Sequence, residues 1–263
     1  MALIAVSRKE HADLCISSSN TLLQFANRSS LPLYGLEVGR FACDYPLFFL
    51  PTGDTYGISM MCSIDPRLGS ACITQKGEWK GTYRLAYLRQ QPFSALVNSE
   101  DDQQCVVCID DESSMLAEEG EALFDDGEPT EYLNRVAEFV RHLFQAGKQT
   151  ALAIRAIQDA DLIVPWEISV PRSGGETIKV SDKYRIDESK LVDLDDKQWI
   201  DLKEAGALPI IYGQLFSQGN LNKLVMTHNS MNALNKTLTK GGSEPDLDFL
   251  IGDEEFTLNF DEV

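Results

Sequence analysis

The sequence lacks any apolar run near the roughly 20 residues that a bilayer-spanning helix requires; stretches such as Pro46-Leu47-Phe48-Phe49-Leu50-Pro51 end quickly at prolines. It also lacks a secretory pattern, because the apolar Met1-Ala2-Leu3-Ile4-Ala5-Val6 precedes Arg8-Lys9 and no small-residue cleavage site follows. The expectation is a cytoplasmic chain with no membrane insertion. Histidine is scarce, and His11, His142 and His228 sit in no local pattern that would make one a base. There is no G-x-S-x-G elbow, no G-x-x-x-x-G-K-[ST] loop and no G-x-G-x-x-G after a strand, so no catalytic residue and no nucleotide cofactor are expected. Cys105-Val106-Val107-Cys108 has redox spacing, but two valines favour a strand, where positions three apart face opposite ways. With no second Cys or His pair at ligand spacing, no metal is expected. The six cysteines read as buried free thiols.

Basic residues are missing from two long stretches. The formal charge is −18, from 41 acidic and 23 basic residues. Residues 100–131 hold 13 acids and residues 244–263 hold 8, with no Lys or Arg in either. The remaining 20 acids face all 23 bases, which leaves the rest near neutral at +3. Such a balance argues against nucleic-acid binding, which needs cations on phosphates.

What is present is an ordinary globular composition of 43% hydrophobic and 24% charged residues. The pattern implies an α+β fold: a mainly antiparallel β region over 1–110, an acidic loop or boundary over 111–128, helices and a hairpin over 129–235 packed with the first region, and an acidic tail over 236–263. Leu47 to Leu50 and Tyr56 to Cys62 flank Thr52-Gly53-Asp54 and read as a hairpin. Trp79 to Leu88, Pro92 to Val97 and Gln104 to Asp110 are further strand candidates. Pro129 suits a first helical turn, and Tyr132, Leu133, Val136, Phe139, Val140, Leu143 and Phe144 form one apolar stripe. Periodicity alone leaves open whether this helix stops at Gly147 or runs to Pro165. Trp166 to Val170 and Thr177 to Val180 make a second hairpin, with Tyr184 to Ile186 as a third strand. Asp195 or Asp196 caps a short helix that stops at Gly206. A further stripe holds Leu208, Ile211, Tyr212, Leu215 and Phe216, broken at Gly219-Asn220.

Two groups of residues are candidates for function. Tyr45, Trp79, Tyr83 and Phe93, with Arg84 or Arg89, have the chemistry of an apolar pocket with one positive group, suited to a small anion; core packing is the competing use. In the tail, Phe249, Leu250, Phe256 and Phe260 alternate with acids, a composition soluble alone that docks apolar anchors into a partner's groove. A tail that folds onto its own domain is the alternative.

Read in order, several segments resemble the SapC family of bacterial proteins: Glu10-His11-Ala12-Asp13-Leu14, Asp44-Tyr45-Pro46-Leu47-Phe48-Phe49, Gly77-Glu78-Trp79-Lys80-Gly81-Thr82-Tyr83, Leu88-Arg89-Gln90-Gln91-Pro92-Phe93, Gly120-Glu121-Ala122-Leu123-Phe124-Asp125-Asp126-Gly127 and Ala207-Leu208-Pro209-Ile210-Ile211-Tyr212-Gly213-Gln214-Leu215-Phe216-Ser217. The chain departs from the family pattern at Leu85 and Gln91. The resemblance implies a connection with bacterial surface layers and the cell envelope, and supplies no reaction, cofactor or catalytic residue. It implies a non-enzymatic accessory or interaction protein with a protein partner. The alternative it carries is an enzyme or small-molecule-binding subunit working beside an uptake receptor or a flavin-dependent halogenase-like system.

Overall fold

A computed structural model describes residues 3–17, 22–65, 67, 69–97, 104–171 and 177–239, with side chains followed to residue 230. The tail anchors Phe249, Leu250, Phe256 and Phe260 lie outside the described residues. The chain opens with β1 (Leu3–Ala5), the single turn α1 (Arg8–His11), β2 (Cys15–Ile16) and β3 (Ser30–Pro32). A 3-10 turn at Gly35–Glu37 runs into α2 (Val38–Phe41), followed by β4 (Leu47–Thr52) and β5 (Thr55–Met61). Next come α3 (Ala86–Arg89), β6 (Phe93–Val97), β7 (Cys105–Asp110), β8 (Leu116–Ala117), β9 (Glu121–Ala122), β10 (Phe124–Asp125) and β11 (Glu128–Pro129). The long α4 (Glu131–Asp159) leads to β12 (Ile163–Pro165), β13 (Ile168–Pro171), β14 (Thr177–Val180) and β15 (Tyr184–Ile186). The last helices are α5 (Glu188–Val192), α6 (Asp196–Glu204), α7 (Leu208–Ser217) and α8 (Asn220–Thr239). The fold is α+β.

A five-stranded antiparallel sheet, ordered β12-β15-β4-β5-β3, forms the centre. The expected hairpin pairs Phe49 with Ile58 and closes at Thr52 and Thr55, with Gly53 at φ 60 supplying the left-handed turn. Successive strand side chains point to opposite faces, which is why Leu47-Phe48-Phe49 is apolar without alternation. Phe49 enters the main core with Leu31, Phe41, Ile154 and Ile211, while Phe48 enters a separate core with Met61, Ile168, Val170 and Leu224. Both faces of the sheet are covered.

α4 does not stop at Gly147 but continues to Asp159. A mid-helix glycine costs only about 1 kcal/mol relative to alanine, and packing along both halves outweighs that. The first half buries Leu133 and Val140 against Phe93 and Ile109 of the β1-β7-β6 sheet; the second half buries Ala153, Ile154 and Ile157 in the main core. Thr130, not Pro129, begins the helix: its Oγ1 accepts from Leu133 N at 3.2 Å, while Pro129 belongs to β11. Asp195 is the cap of α6, with Gln198 completing a capping box.

Two segments differ from what the sequence predicts. Trp79 to Leu88 is not a strand: Trp79 makes a single bridge to Ile73, and the rest turns into α3. The indole folds back over Gly81, where a Cβ would lie 2.6 Å from its Nε1, so the chain bends rather than extends. The acidic stretch after Asp110 is not an open loop. Its two-residue strands β8 and β9 flank β2, and β10 pairs with β11, so a few ladder bonds tie it to the N-terminal region.

Candidate functional site

The inward positions of α7 each have a visible packing role. Gly213 faces Val38, and a Cβ there would meet Val38 Cγ1 at 2.2 Å. Gln214 is fully buried; its Oε1 accepts from Ile186 N at 2.9 Å and its Nε2 donates to Leu47 O at 3.1 Å. Ser217 Oγ accepts from Leu47 N at 2.9 Å and donates to Gln214 O at 2.7 Å. β4 and β15 meet in register at Tyr184 and Phe49 alone, so these two side chains stand in for ladder bonds where the strands part. Ile210 and Ile211 complete the buried side.

The outward side carries aromatics with no such role. Tyr212 and Phe216, one turn apart, stack with centroids 6.1 Å apart and planes at 26°. The apolar stripe in the sequence predicts a core position for both. α7 is apolar nearly all round, and periodicity cannot then say which side faces out.

Beside this helix runs a groove of about 720 Å³ between the Gly35–Gly39 turn, α4 at Ala146, Thr150 and Ala153, and Gly206, Pro209 and Ile210. Thr150 Oγ1 fixes the turn by accepting from Gly35 N at 2.8 Å and donating to Ala146 O at 2.7 Å. Leu36 and Leu152 lie on its rim at 58% and 66% exposure; Tyr212 at 41% and Phe216 at 76% are exposed on α7 outside the lining. Pro209 and Phe216 are seven residues apart and so share a helix face. The aromatics thus lie on the same side of α7 as Pro209, which lines the groove.

The groove's own lining holds one charged residue, Glu204, and two arginines lie outside it beyond Gly39. Arg40, one turn beyond Leu36, holds its guanidinium 4.5 Å from the Tyr83 ring centroid. Arg89 lies 5.8 Å from the same ring and 4.7 Å from the Phe139 ring, and its Nη1 donates to Tyr83 Oη at 3.3 Å. Phe139 and Ala146, again seven apart, share a face of α4. Among the described residues, Arg40, Arg84 and Arg89 form no ion pair within 4 Å. Beneath them Glu37 is fully buried, accepting from Ala86 N at 2.8 Å and from Tyr34 N at 3.4 Å, with the Tyr83 hydroxyl also on its carboxylate. Burial pushes its carboxyl above the usual range against these hydrogen bonds and the field of Arg89.

Of the pocket residues named from sequence, Tyr45, Trp79 and Tyr83 surround Phe41, at centroid distances of 6.1, 6.5 and 5.9 Å. Arg89 joins them through Tyr83. Phe93 lies apart, in the core with Ile109 and Val140. Arg84 is half-buried in the segment before α3. Sequence reasoning missed Arg40, Phe41 and Glu37, which sit on a single turn with no motif to mark them.

Cys105 is partly exposed and Cys108 buried, as a strand requires, and all six cysteines are free. Among the described residues no three His, Cys, Asp or Glu are placed to hold a metal ion. None of the described helices is long and apolar enough to cross a membrane. Comparison with curated proteins and with solved structures found no match. The SapC family model matches residues 6–224, more than half of the chain and all of the helices and strands that build the groove, so the chain belongs to the SapC family.

Proposed function

We propose that this SapC-family chain is a non-enzymatic interaction protein connected with the bacterial cell envelope, and that the outer face of α7 with the adjoining groove is where its partner docks. The observation that carries the reading is the division within α7: Gly213, Gln214 and Ser217 are committed to packing, whereas Tyr212 and Phe216 are stacked outside. Exposed stacked aromatics beside a concave apolar rim have the composition of an interface anchor. The occupant is an acidic segment with aromatic or leucine anchors. Its apolar residues fit the groove, and its carboxylates meet Arg40 and Arg89, which form no ion pair within 4 Å among the described residues.

Residues 244–263 of this chain have that same chemistry, with Phe249, Leu250, Phe256 and Phe260 as anchors, and serve as its model occupant. A photoreactive phenylalanine analogue in place of Phe216 tests the reading in native cells. The expected cross-linked peptides are acidic and carry Phe or Leu. Basic peptides, or none above the level of the same probe at exposed Leu96, would contradict it.

A further inference from the structure

The main core contains two cysteines, Cys62 and Cys72, with Tyr45 and Trp79 packed against it, and this group of polar and sulfur atoms plays no part in docking. Cys62 and Cys72 are both fully buried and free. Ala71 N donates to Cys62 O at 2.8 Å, which sets the two segments side by side with both sulfurs in the same buried core and close enough to act on one another, and the Cys62 thiol donates to Met60 O at 3.8 Å. The Tyr45 hydroxyl and Ser70 also reach the Cys72 sulfur, and Lys80 lies close enough to act on it electrostatically. Against Cys62 lies His228 of α8, fully buried, its ring near the Cys62 backbone but without a well-formed hydrogen bond at either nitrogen among the described residues. Trp79 Nε1 is likewise buried without a partner. Buried polar groups without partners are costly, so the imidazole and the indole N–H beside the two thiols need more than core filling to explain them.

We propose that Cys62 and Cys72 are a modification site, a built thiol pair that a hydroperoxide converts to a reversible intrachain disulfide, with Cys72 the sulfur oxidised first. The donors gathered on Cys72 stabilise its thiolate, and its contact with Cys62 lowers its pKa most; burial does the opposite to Cys62 and keeps it a thiol. In the first step the Cys72 thiolate attacks one peroxide oxygen: an S–O bond forms, the O–O bond breaks, and the leaving hydroxide takes up a proton as water. Cys72 is oxidised and the peroxide reduced. In the second step the Cys62 sulfur displaces the sulfenic hydroxyl: S–S forms, S–O breaks, and a second water leaves with the Cys62 proton. Two thiols and one hydrogen peroxide give one disulfide and two waters. Hydrogen peroxide is scarcely larger than water, whereas a maleimide is not, so burial selects between the reagents.

The test treats the full chain with hydrogen peroxide, then unfolds, alkylates and maps it by mass spectrometry. The expected product is a Cys62–Cys72 cross-link, with a loss of about 2 Da that a dithiol reductant reverses. In Cys62→Ser, dimedone present as the peroxide-treated protein is unfolded traps a sulfenic acid on Cys72, and in Cys72→Ser none is trapped on Cys62. The proposal is overturned if both thiols stay alkylatable after peroxide has oxidised the exposed Cys43, or if the wild-type cross-link joins another pair. Should either serine variant fail to fold, the wild-type map alone still separates these outcomes.

Discussion

Replacing Gln214 by Leu removes the two side-chain hydrogen bonds that bridge β4 and β15, and a third from Gln218 Nε2 at 3.3 Å, while nearly keeping volume, so the main cost is one of unpaired backbone groups rather than of a cavity. Ile186 N–H loses its acceptor at 2.9 Å and Leu47 C=O loses its donor at 3.1 Å, both in the buried gap between β4 and β15. A buried group left unsatisfied costs about 1–3 kcal/mol. Two of them give about 2–6 kcal/mol, lowered if the Ser217 hydroxyl turns toward Leu47. Phe216→Ser is the matched control on the same helix: the ring is mostly exposed, so stability should stay within about 0.5 kcal/mol of wild type. Urea unfolding at neutral pH, followed by far-UV circular dichroism, measures both. If Gln214→Leu fell within that same margin, the ladder role assigned to Gln214 would be wrong. A large loss for Phe216→Ser would undo the division of α7 into packed and free sides.

Two further outcomes concern pH. Burial raises the Glu37 carboxyl above its ordinary 4.5, so between the unfolded and folded values the native state holds more protons and stability falls as pH rises. Glu37→Gln should remove that slope and keep stability within about 1 kcal/mol at pH 7, whereas Glu37→Ala strands Ala86 N–H and should cost about 2–4 kcal/mol. Equal losses for the two variants would contradict the assignment. Burial lowers the His228 pKa from 6.5, against the opposing pull of the Cys62 backbone and Asp65. Below pH 6.5 the unfolded chain binds a proton that the native state resists, so stability drops on acidification through this window. His228→Leu should flatten the drop; parallel wild-type and variant curves between pH 7 and pH 5 would refute it.

Much of the frame is legible in the residues. Thr52-Gly53-Asp54 and the flanking apolar runs define the β4–β5 hairpin, and Asp195 and Gly206 mark the ends of α6 correctly. What is not legible comes from long-range contact. Only the neighbours of Gly147 show that α4 continues through it, and only the covering of both sheet faces explains why Phe48 and Phe49 are both apolar. At the site, Tyr83 and Arg89 are recognisable from local chemistry. Arg40 is not, because its meeting with Tyr83 spans 43 residues of chain. Tyr212 and Phe216 are hidden for a different reason: an apolar helix with no polar side reads as buried throughout.

The docking claim is tested most directly by fluorescence anisotropy with a labelled peptide of residues 244–263 titrated into the full-length chain. Saturable binding is expected, weakening as salt screens Arg40 and Arg89, and falling about tenfold or more both for Tyr212→Ser with Phe216→Ser and for Arg40→Glu with Arg89→Glu. Affinity unchanged by either pair of substitutions, or no binding of the peptide to the wild-type chain, would contradict the account.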